Sequence, residues 1–439
     1  MNRQVRMLTP VLLALLLAAG AVADSRMHVA LQADGRARAD SISMGRVTVS
    51  VPARRADTAA VTARVARRHG DVRLVEQRTV LGRGGEKVVY VFEMPSAVLA
   101  GKKDVRDEFV RGLGRTINGK SDEVRRVRAK GKPVNLPIFE SDWDAPTVRR
   151  QPAMVQTAAL AAQAKATGRG QIVAVLDGGF DLRHAFLAGH LSAQDYDALD
   201  NDDDPQDLGN GINDDAVSEA AGDAVKDRIV GHGTFVSSLI LSVAPDVTIL
   251  PIRVLDDEGW GTDLSVACGI SYAVANGAKV VNLSLVLPEA TSIVKDAIRA
   301  AAEAGVVIVS ASGTTTDGWQ SDPYLTRRSI CVGATDADDV IASWSLTGDF
   351  IRVYAPGVAL HGAIGGATRD SYGRWDGVSF AVPFLSAGAA MIRQKHPSDW
   401  TVVEVRDRLA AYVDPVYETA SDPLDSRGRV DLDKSVPAN

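Results

Sequence analysis

From Gln171 onward, apolar runs alternate with amphipathic stretches, and this alternation constrains the fold more than any other feature of the chain. The apolar runs are typical of strands buried on both faces. They span residues 171–176, 248–254, 279–285 and 306–310, and the helical stretches span 264–276 and 292–304. The alternation predicts an α/β domain in which helices flank a parallel sheet. In such sheets, active sites collect at the carboxyl ends of the strands.

The region before this domain has a different pattern and the opposite charge. Strand-like runs at 47–51 and 88–92 and helix-like runs at 59–68 and 104–113 predict a small α+β unit, and residues 125–144 read as a linker. The whole chain has 49 basic and 55 acidic residues, and this balance argues against nucleic-acid binding. Residues 24–150 hold 26 basic and 16 acidic residues, a net charge of +10, whereas residues 151–439 hold 21 and 39, a net charge of −18.

The first 23 residues have the pattern of a secretory signal peptide. Arg3 and Arg6 precede an apolar stretch at 11–19, and Ala21-Val22-Ala23 forms a small-x-small cleavage site before Asp24. A membrane anchor is the alternative, but the apolar stretch is shorter than the ~20 residues that a span needs. We therefore expect an exported protein, periplasmic or extracellular, that keeps no membrane segment after signal cleavage.

The chain has two cysteines, Cys268 and Cys331, in apolar surroundings. We interpret them as buried free thiols. Because export permits disulfides, a bond between them is the alternative. Neither cysteine lies near a motif that would activate a thiolate, which argues against a catalytic cysteine.

Three polar residues lie at the ends of predicted strands or helices, next to or near a glycine. Asp177 ends the first strand of the α/β domain, His232 opens a helical stretch after Gly231, and Ser379 lies at another helix start. Taken singly, a serine before a helix is an N-cap, and aspartate or histidine beside glycine fills a turn. Taken together they predict catalysis, because a serine nucleophile needs a base within hydrogen-bond reach and a third group that orients the base.

These motifs resemble those of the subtilisin-like serine proteases, the subtilase or peptidase S8 family, in which Asp, His and Ser follow in this order. Residues 175–184 are similar to the aspartate motif, and we interpret their later histidine, His184, as structural. Residues 231–234 match the histidine motif, and residues 377–383 are similar to the serine motif, with Val378 and Phe380 in place of Thr and Met. Weaker matches at 282–285, 343–346 and 355–358 extend the resemblance over about residues 157–412.

The resemblance implies a subtilisin-like fold and a serine endopeptidase that needs no cofactor for catalysis and acts on polypeptides. Ser379 would attack the scissile carbonyl, His232 would act as the base, and Asp177 would orient the imidazole. The family's usual oxyanion donor is an Asn, and this chain has Thr314 there, which implies a weakened oxyanion hole. Substrate would bind along Ser284, Leu285 and Val286. Val286 and Leu287 replace the usual glycines, and we infer a narrower or more apolar groove.

An acidic loop between Asp177 and His232, residues 200–215, offers many oxygen ligands for a hard cation. It is not an EF-hand, because the terminal Glu is absent. Asp200, Asp202 and Asp204 are the predicted ligands of a structural calcium, and the alternative is a solvated acidic surface loop.

The resemblance also offers an explanation for the basic segment that precedes the acidic domain. Subtilases are commonly made with an N-terminal propeptide, and residues 24–150 stand in its place. Opposite charges would favour its association with residues 151–439, the predicted catalytic domain. Arg149-Arg150 is a weak candidate for the processing site. Two alternatives remain: a non-catalytic subtilase-like binding or chaperone module, motivated by Thr314 and Val286, and a calcium-stabilised structural domain with an incidental triad.

Overall fold

The computed structural model describes most of the chain from Ser43 onward. The predicted signal peptide and the part of the acidic loop after Gln206 lie outside the described residues. The residues that the structure describes are 43–69, 72–82, 85–99, 103–117, 119–128, 138–139, 144–206, 230–257, 259–316, 318–365, 371–419 and 422–438.

The N-terminal unit, residues 43–128, is a small α+β unit, as the pattern predicts. Its strands are β1 (Ser43–Pro52), β2 (Leu74–Gly82), β3 (Gly85–Glu93) and β4 (Lys120–Arg128), and its helices are α1 (Thr58–His69), α2 (Ser96–Leu99) and α3 (Lys103–Ile117). The strand order β2-β3-β1-β4 is antiparallel. The predicted linker begins too early, because residues 125–128 belong to β4 and pair with another strand.

Alternating side chains give the N-terminal sheet two apolar faces. Val88, Tyr90 and Phe92 of β3 join a core with helices α1 and α3. Val89 and Val91 point the other way and join the core of the C-terminal unit. The sheet is therefore covered on both faces, once by its own helices and once by the C-terminal unit.

The C-terminal unit is built on a nine-stranded, mostly parallel sheet. The strands of this sheet are β6 (Ile172–Asp177), β7 (Tyr196–Asp197), β8 (Thr248–Arg253), β10 (Val280–Leu283), β11 (Val307–Ala311), β12 (Ile330–Thr335), β13 (Val353–Pro356), β16 (Val413–Thr419) and β17 (Asp422–Val430). Their order in the sheet is β16-β17-β13-β12-β11-β10-β6-β8-β7, and the edge hairpin of β16 and β17 is its antiparallel part.

Helices cover both faces of this sheet and bury its apolar strands. One core lies under α7 (His232–Val243) and α11 (Val378–Lys395), and the other lies under α8 (Asp263–Ala275) and α9 (Ser292–Glu303). This is the α/β architecture with a parallel sheet that the alternating pattern predicted. The helices are α4 (Ala145–Arg149), α5 (Pro152–Gln156), α6 (Ala159–Gln163), α7 (His232–Val243), α8 (Asp263–Ala275), α9 (Ser292–Glu303), α10 (Pro323–Thr326), α11 (Val378–Lys395), α12 (Val402–Ala411) and α13 (Leu432–Ser435).

Three short strands complete the C-terminal unit. Strand β9 (Trp260–Thr262) pairs with β4 of the N-terminal unit and extends its sheet to five strands. Strands β14 (Leu360–Ala363) and β15 (Tyr372–Trp375) form a hairpin that also pairs with β5 (Ile138–Phe139). Among the described helices, none is long and apolar enough to cross a membrane.

Residues shortly before Gln151 pack on the C-terminal unit. Val148 of α4 is fully buried in its core, and the Arg149 guanidinium lies 5.0 Å from the centre of the Phe186 ring. The Gln151 side chain accepts from the His361 amide and donates to the His361 carbonyl. By its packing, α4 belongs to the C-terminal unit. Cleavage of the chain at Arg150 stays a prediction.

Candidate active site

Asp177 and His232 form a buried hydrogen bond at the carboxyl end of the sheet. Asp177 is the last residue of β6, and His232 is the first residue of α7. His232 Nδ1 lies 2.7 Å from Asp177 Oδ1, which also accepts from the Gly178 amide at 2.8 Å. Because a carboxylate only accepts, Nδ1 is the protonated ring nitrogen, and Nε2 of the neutral ring is left as an acceptor.

Gly233 allows helix α7 to approach Asp177 closely. A Cβ atom at this position would lie 2.3 Å from the Gly179 carbonyl oxygen and 3.2 Å from Asp177 Cβ. Any side chain would push the helix away and lengthen the contact between His232 and Asp177. The glycine after the histidine is therefore required by the packing that orients the imidazole.

Ser379 occupies the second position of α11, and a proline four residues later explains its surroundings. Pro383 has no N–H, so the Ser379 carbonyl lacks the usual helical donor. Ser284, just after β10, supplies one: its Oγ donates to the Ser379 carbonyl at 2.7 Å. The residue predicted to bind substrate thus anchors the backbone of the predicted nucleophile.

Two further buried side chains continue this network. Asn282 Nδ2 donates to Ser284 Oγ at 3.0 Å, and Ser386 Oγ donates to Asn282 Oδ1 at 2.8 Å. Asn282 lies on β10 and Ser386 on α11, so the hydrogen bonds link the central strand to the helix that carries Ser379. A buried polar chain with each member bonded holds a backbone in one geometry.

The Ser379 hydroxyl points at the backbone and not at the imidazole. It donates to the Ser284 carbonyl at 3.1 Å, and the side chain is fully buried. His232 Nε2 is buried without a hydrogen-bond partner among the described residues. The Phe380 ring, next to Ser379 in sequence, lies 5.1 Å from the His232 ring, and Trp375 meets the same imidazole edge-on at 5.5 Å. The site is covered, and its serine and histidine share no hydrogen bond.

The other predicted site residues lie at the same edge of the sheet. Strands β11, β10 and β6 are adjacent and parallel, so Thr314, Ser284 and Asp177 follow or end neighbouring strands. Thr314 is buried, its Oγ1 lies 3.0 Å from Thr316 Oγ1, and its amide donates to the Trp319 carbonyl at 3.2 Å. Leu285 and Val286 are buried as well, and Leu287 belongs to the core beneath α8 and α9.

The acidic loop is described only as far as Gln206. Asp200, Asp202 and Asp204 are exposed, and Asp202 Oδ1 accepts from the Asp204 amide at 3.1 Å. Over the described ranges, no group of three or more acidic, histidine or cysteine side chains is arranged to hold a metal ion. Residues 207–215, the rest of the predicted calcium loop, fall outside these ranges. The described carboxylates alone do not fit a calcium ion.

The cysteines and His184 have structural positions. Cys268 and Cys331 are free and buried, and burial raises the pKa of each thiol to about 12. His184 Nδ1 accepts from the Phe186 amide, so its Nε2 is the donor to the Ser371 carbonyl at 2.9 Å. These contacts confirm buried free thiols and a structural role for His184.

Comparison with known proteins identifies the family. The model of the subtilase family, peptidase S8, matches residues 168–422, which is more than half of the chain. The chain belongs to the subtilase family. Subtilisin Savinase of Lederbergia lenta is 36% identical over 188 residues, which cover 41% of this subtilase and 68% of that protein. The family gives the enzyme class, a subtilisin-like serine endopeptidase.

This subtilase matches only part of the length of its other relatives. It spans 58% of the thermophilic serine proteinase of Bacillus sp. (strain AK1), at 33% identity over 252 residues covering 57% of this chain. It spans about half, 48%, of an alkaline protease of Alkalihalobacillus alcalophilus, at 36% identity over 41% of this chain. The crystal structure of fervidolysin from Fervidobacterium pennivorans superposes with a TM-score of 0.66 and 21% identity, covering 92% of this chain and 63% of that one. This likeness shows the fold.

Sequence reasoning missed how the serine is held. It did not identify Asn282 as a network residue or Ser386 at all, and it assigned Ser284 only to substrate. The signal that would have found them is the spacing of Ser379 and Pro383, because a proline four residues along frees a carbonyl that must be satisfied.

Proposed function

We propose that this subtilase is an exported serine endopeptidase that uses Asp177, His232 and Ser379 through an acyl-enzyme intermediate. The observation that carries the proposal is the buried hydrogen bond from His232 Nδ1 to Asp177. It leaves Nε2 as an acceptor in a pocket with no protein donor among the described side chains. A histidine in this state can take a proton from a hydroxyl brought within reach.

Turnover begins with a small movement of Ser379. Its Oγ leaves the Ser284 carbonyl by rotation about the Cα–Cβ bond and donates to His232 Nε2. The oxygen then attacks the scissile carbonyl, and His232 returns the proton to the leaving amine. Water hydrolyses the ester by the same route in reverse. Asp177 holds the imidazole and stabilises its charged form throughout.

The oxyanion forms near Thr314 and the first turn of α11. The backbone N–H of Ser379 and the positive end of an 18-residue helix favour a developing negative charge there. Thr314 is the only side-chain donor that we assign, and its Oγ1 lies 3.0 Å from Thr316 Oγ1. We therefore expect slower turnover than with an Asn at this position, and a narrow, apolar groove beside Leu285 and Val286.

We assign the N-terminal unit as the prosegment. Its support is the interface: Val80, Val89 and Val91 pack into the core beneath α8 and α9, and β4 pairs with β9. Lys87 pairs with Asp296 of α9, which connects the basic segment to the acidic domain. Processing would separate this unit from the catalytic domain.

Export and calcium binding are proposals that rest on the sequence alone. The signal peptide predicts a periplasmic or extracellular location. If calcium binds at the acidic loop, a chelator should lower the melting temperature of the purified protein. An unchanged melting temperature with chelator would remove Asp200, Asp202 and Asp204 as ligands.

The peptidase proposal is tested by hydrolysis of a quenched fluorescent peptide. Prosegment-free wild type should cleave it, Ser379→Ala and His232→Ala should not, and Ser343→Ala, which changes an exposed serine, should be unaffected. A folded, prosegment-free wild type that cleaves no peptide would overturn the proposal. It would favour a non-catalytic binding or chaperone module instead, the reading suggested by the Ser379 hydroxyl facing Ser284.

A further inference from the structure

Arg78 of the N-terminal unit enters the C-terminal unit. It lies on the edge strand β2, and its side chain is only 8% exposed. Its Nε pairs with Glu76 of the same strand, so the N-terminal unit supplies one acceptor. The two terminal nitrogens of the guanidinium find their acceptors in the C-terminal unit. The N-terminal unit thus places a buried cation in a site that the other unit builds.

Four oxygen atoms at and after strand β7 receive this guanidinium. Arg78 Nη1 lies 2.9 Å from Asn201 Oδ1 and 3.1 Å from the Tyr196 hydroxyl. The Ala198 carbonyl lies 3.3 Å from Nη1, and the Leu199 carbonyl lies 3.3 Å from Nη2. The Tyr196 hydroxyl donates to Asn201 Oδ1 at 3.0 Å, so its lone pairs are left to accept from the guanidinium. We refer to these four residues as the oxygen cup.

The turn that forms the cup is closed by Asp197 and not by Arg78. Asp197 Oδ1 accepts from the Leu199 amide at 2.7 Å and from the Asp200 amide at 3.2 Å. The Asp197 carbonyl accepts from the Asn201 amide at 2.9 Å. Asn201 has a φ of 63°, a left-handed conformation in which asparagine is enriched. The backbone oxygens of the cup are therefore directed by contacts within the C-terminal unit.

Two further contacts support the cup from the same unit. The Tyr196 ring stacks on Tyr272 of α8, with ring centres 4.6 Å apart and planes at 16°. Asp197 Oδ2 accepts from Arg253 Nη1 at 2.9 Å, and Arg253 Nε donates to the Gly178 carbonyl at 3.3 Å. Since these supports do not involve the N-terminal unit, we expect the cup to keep its shape when that unit has left.

The arrangement of the acceptors favours a guanidinium over an ammonium. The acceptors surround both terminal nitrogens of one planar group, whereas a lysine side chain carries a single nitrogen and can meet only part of them. The acceptors of the cup are uncharged oxygens. A guanidinium is more weakly hydrated than an ammonium, so it loses less hydration on entering such a site.

We propose that the cup is a guanidinium-binding site of the C-terminal unit. Arg78 fills it in the uncleaved chain, and a free guanidinium cation, or the arginine side chain of another molecule, fills it once the N-terminal unit has left. Only this second occupancy rests on the proposed function, because it requires the N-terminal unit to be a prosegment that is removed. Binding in the uncleaved chain needs neither processing nor peptidase activity.

The first test is chemical rescue in the full chain carrying Ser379→Ala, which removes any self-cleavage. Arg78→Ala should lower the melting temperature, and guanidinium chloride should bind the vacated cup with half-saturation at about 10 mM, since the cation has only four heavy atoms. A ligand that binds only the folded state shifts unfolding by mass action, so 50 mM should lower the ratio of unfolded to folded protein about sixfold.

Three controls accompany the rescue. Sodium chloride and ethylammonium chloride, the lysine analogue, should give no such stabilisation at 50 mM. Guanidinium should not stabilise Arg73→Ala, which changes a 71% exposed arginine just before β2. Stabilisation of Arg78→Ala by sodium as large as by guanidinium, or equal stabilisation of Arg73→Ala by guanidinium, would overturn the site. So would the absence of any rescue in a folded Arg78→Ala protein.

The second test uses the prosegment-free protein and reads its melting temperature, so it depends neither on activity nor on the folding of Arg78→Ala. Guanidinium chloride should raise the melting temperature with half-saturation again at about 10 mM. Asn201→Gly removes the nearest acceptor but permits the left-handed backbone, and it should abolish the rise. Tyr196→Phe keeps the stacked ring and should raise the half-saturation concentration several-fold. A rise that Asn201→Gly leaves unchanged would refute the site, and no rise in the wild type would overturn its occupancy after release, whether or not the protein cleaves peptides.

Discussion

Lys87 and Asp296 form the ion pair that should decide how tightly the prosegment is held. The Asp296 side chain is 1% exposed and Lys87 is 12% exposed, so both charges are largely removed from water. Lys120 reaches the same carboxylate at 3.4 Å but is 56% exposed, and Arg299 approaches it at 3.2 Å from the same helix. Breaking a buried pair costs about 3–5 kcal/mol, because one charge stays buried and uncompensated.

Lys87→Met keeps the apolar stem and removes the charge. Since Lys120 and Arg299 remain beside Asp296, we expect the loss of binding free energy to lie at the lower end of this range, about 3 kcal/mol. This corresponds to roughly 100-fold weaker binding of the processed prosegment. The assay dilutes the processed protein and follows the onset of peptidase activity as the prosegment dissociates. Lys103→Met, at an exposed position of α3, should behave as wild type. An unchanged dilution midpoint for Lys87→Met would refute the assignment of this pair as the anchor.

Three further predictions concern the same interface and site. Burial opposes ionisation of Asp296, but its hydrogen bond to Lys87 and the charges of Lys87 and Lys120 hold its pKa below the usual 3.8. Its contribution to prosegment binding is therefore present above about pH 4 and lost as the pH falls through the lowered pKa, which titration of the dilution midpoint measures. Ser284→Ala leaves the buried Ser379 carbonyl without its donor, at a cost of about 1–3 kcal/mol, and should lower both the melting temperature and kcat; an unchanged kcat would contradict the anchoring role. Thr314→Asn should raise kcat at least tenfold with little change in KM, as a side-chain oxyanion donor contributes about 10²–10³, whereas Thr315→Asn, at an exposed site, should not.

Periodicity predicted the fold because the central strands are buried on both faces. The runs at 172–177 and 280–283 are apolar at nearly every position, and this pattern fits few architectures other than a covered parallel sheet. The same reasoning missed β2, whose sequence Leu-Val-Glu-Gln-Arg-Thr-Val-Leu-Gly is interrupted by four consecutive polar residues. This strand lies at the edge of its sheet, and its Arg78 leaves the sheet to donate to the Ala198 and Leu199 carbonyls. A tertiary partner, and not local pattern, stabilises it.

Motifs identified Asp177, His232 and Ser379 but not their mutual geometry. The Asp177–His232 contact follows from a strand end, a helix start and Gly233 between them. The direction of the Ser379 hydroxyl is set by the choice between the Ser284 carbonyl and His232 Nε2, two acceptors distant in sequence. Sequence spacing carries no information on that choice, which depends on how α11 packs against β10.

The most direct test of the account is the mass of the protein after treatment with a fluorophosphonate. This reagent reacts with a serine that a neighbouring base activates. The prosegment-free protein should gain one adduct, and peptide mapping should locate it at Ser379. His232→Ala should label far more slowly, and Ser379→Ala should not label. A folded, prosegment-free wild type that gains no adduct, or gains it at another residue, would contradict the catalytic set.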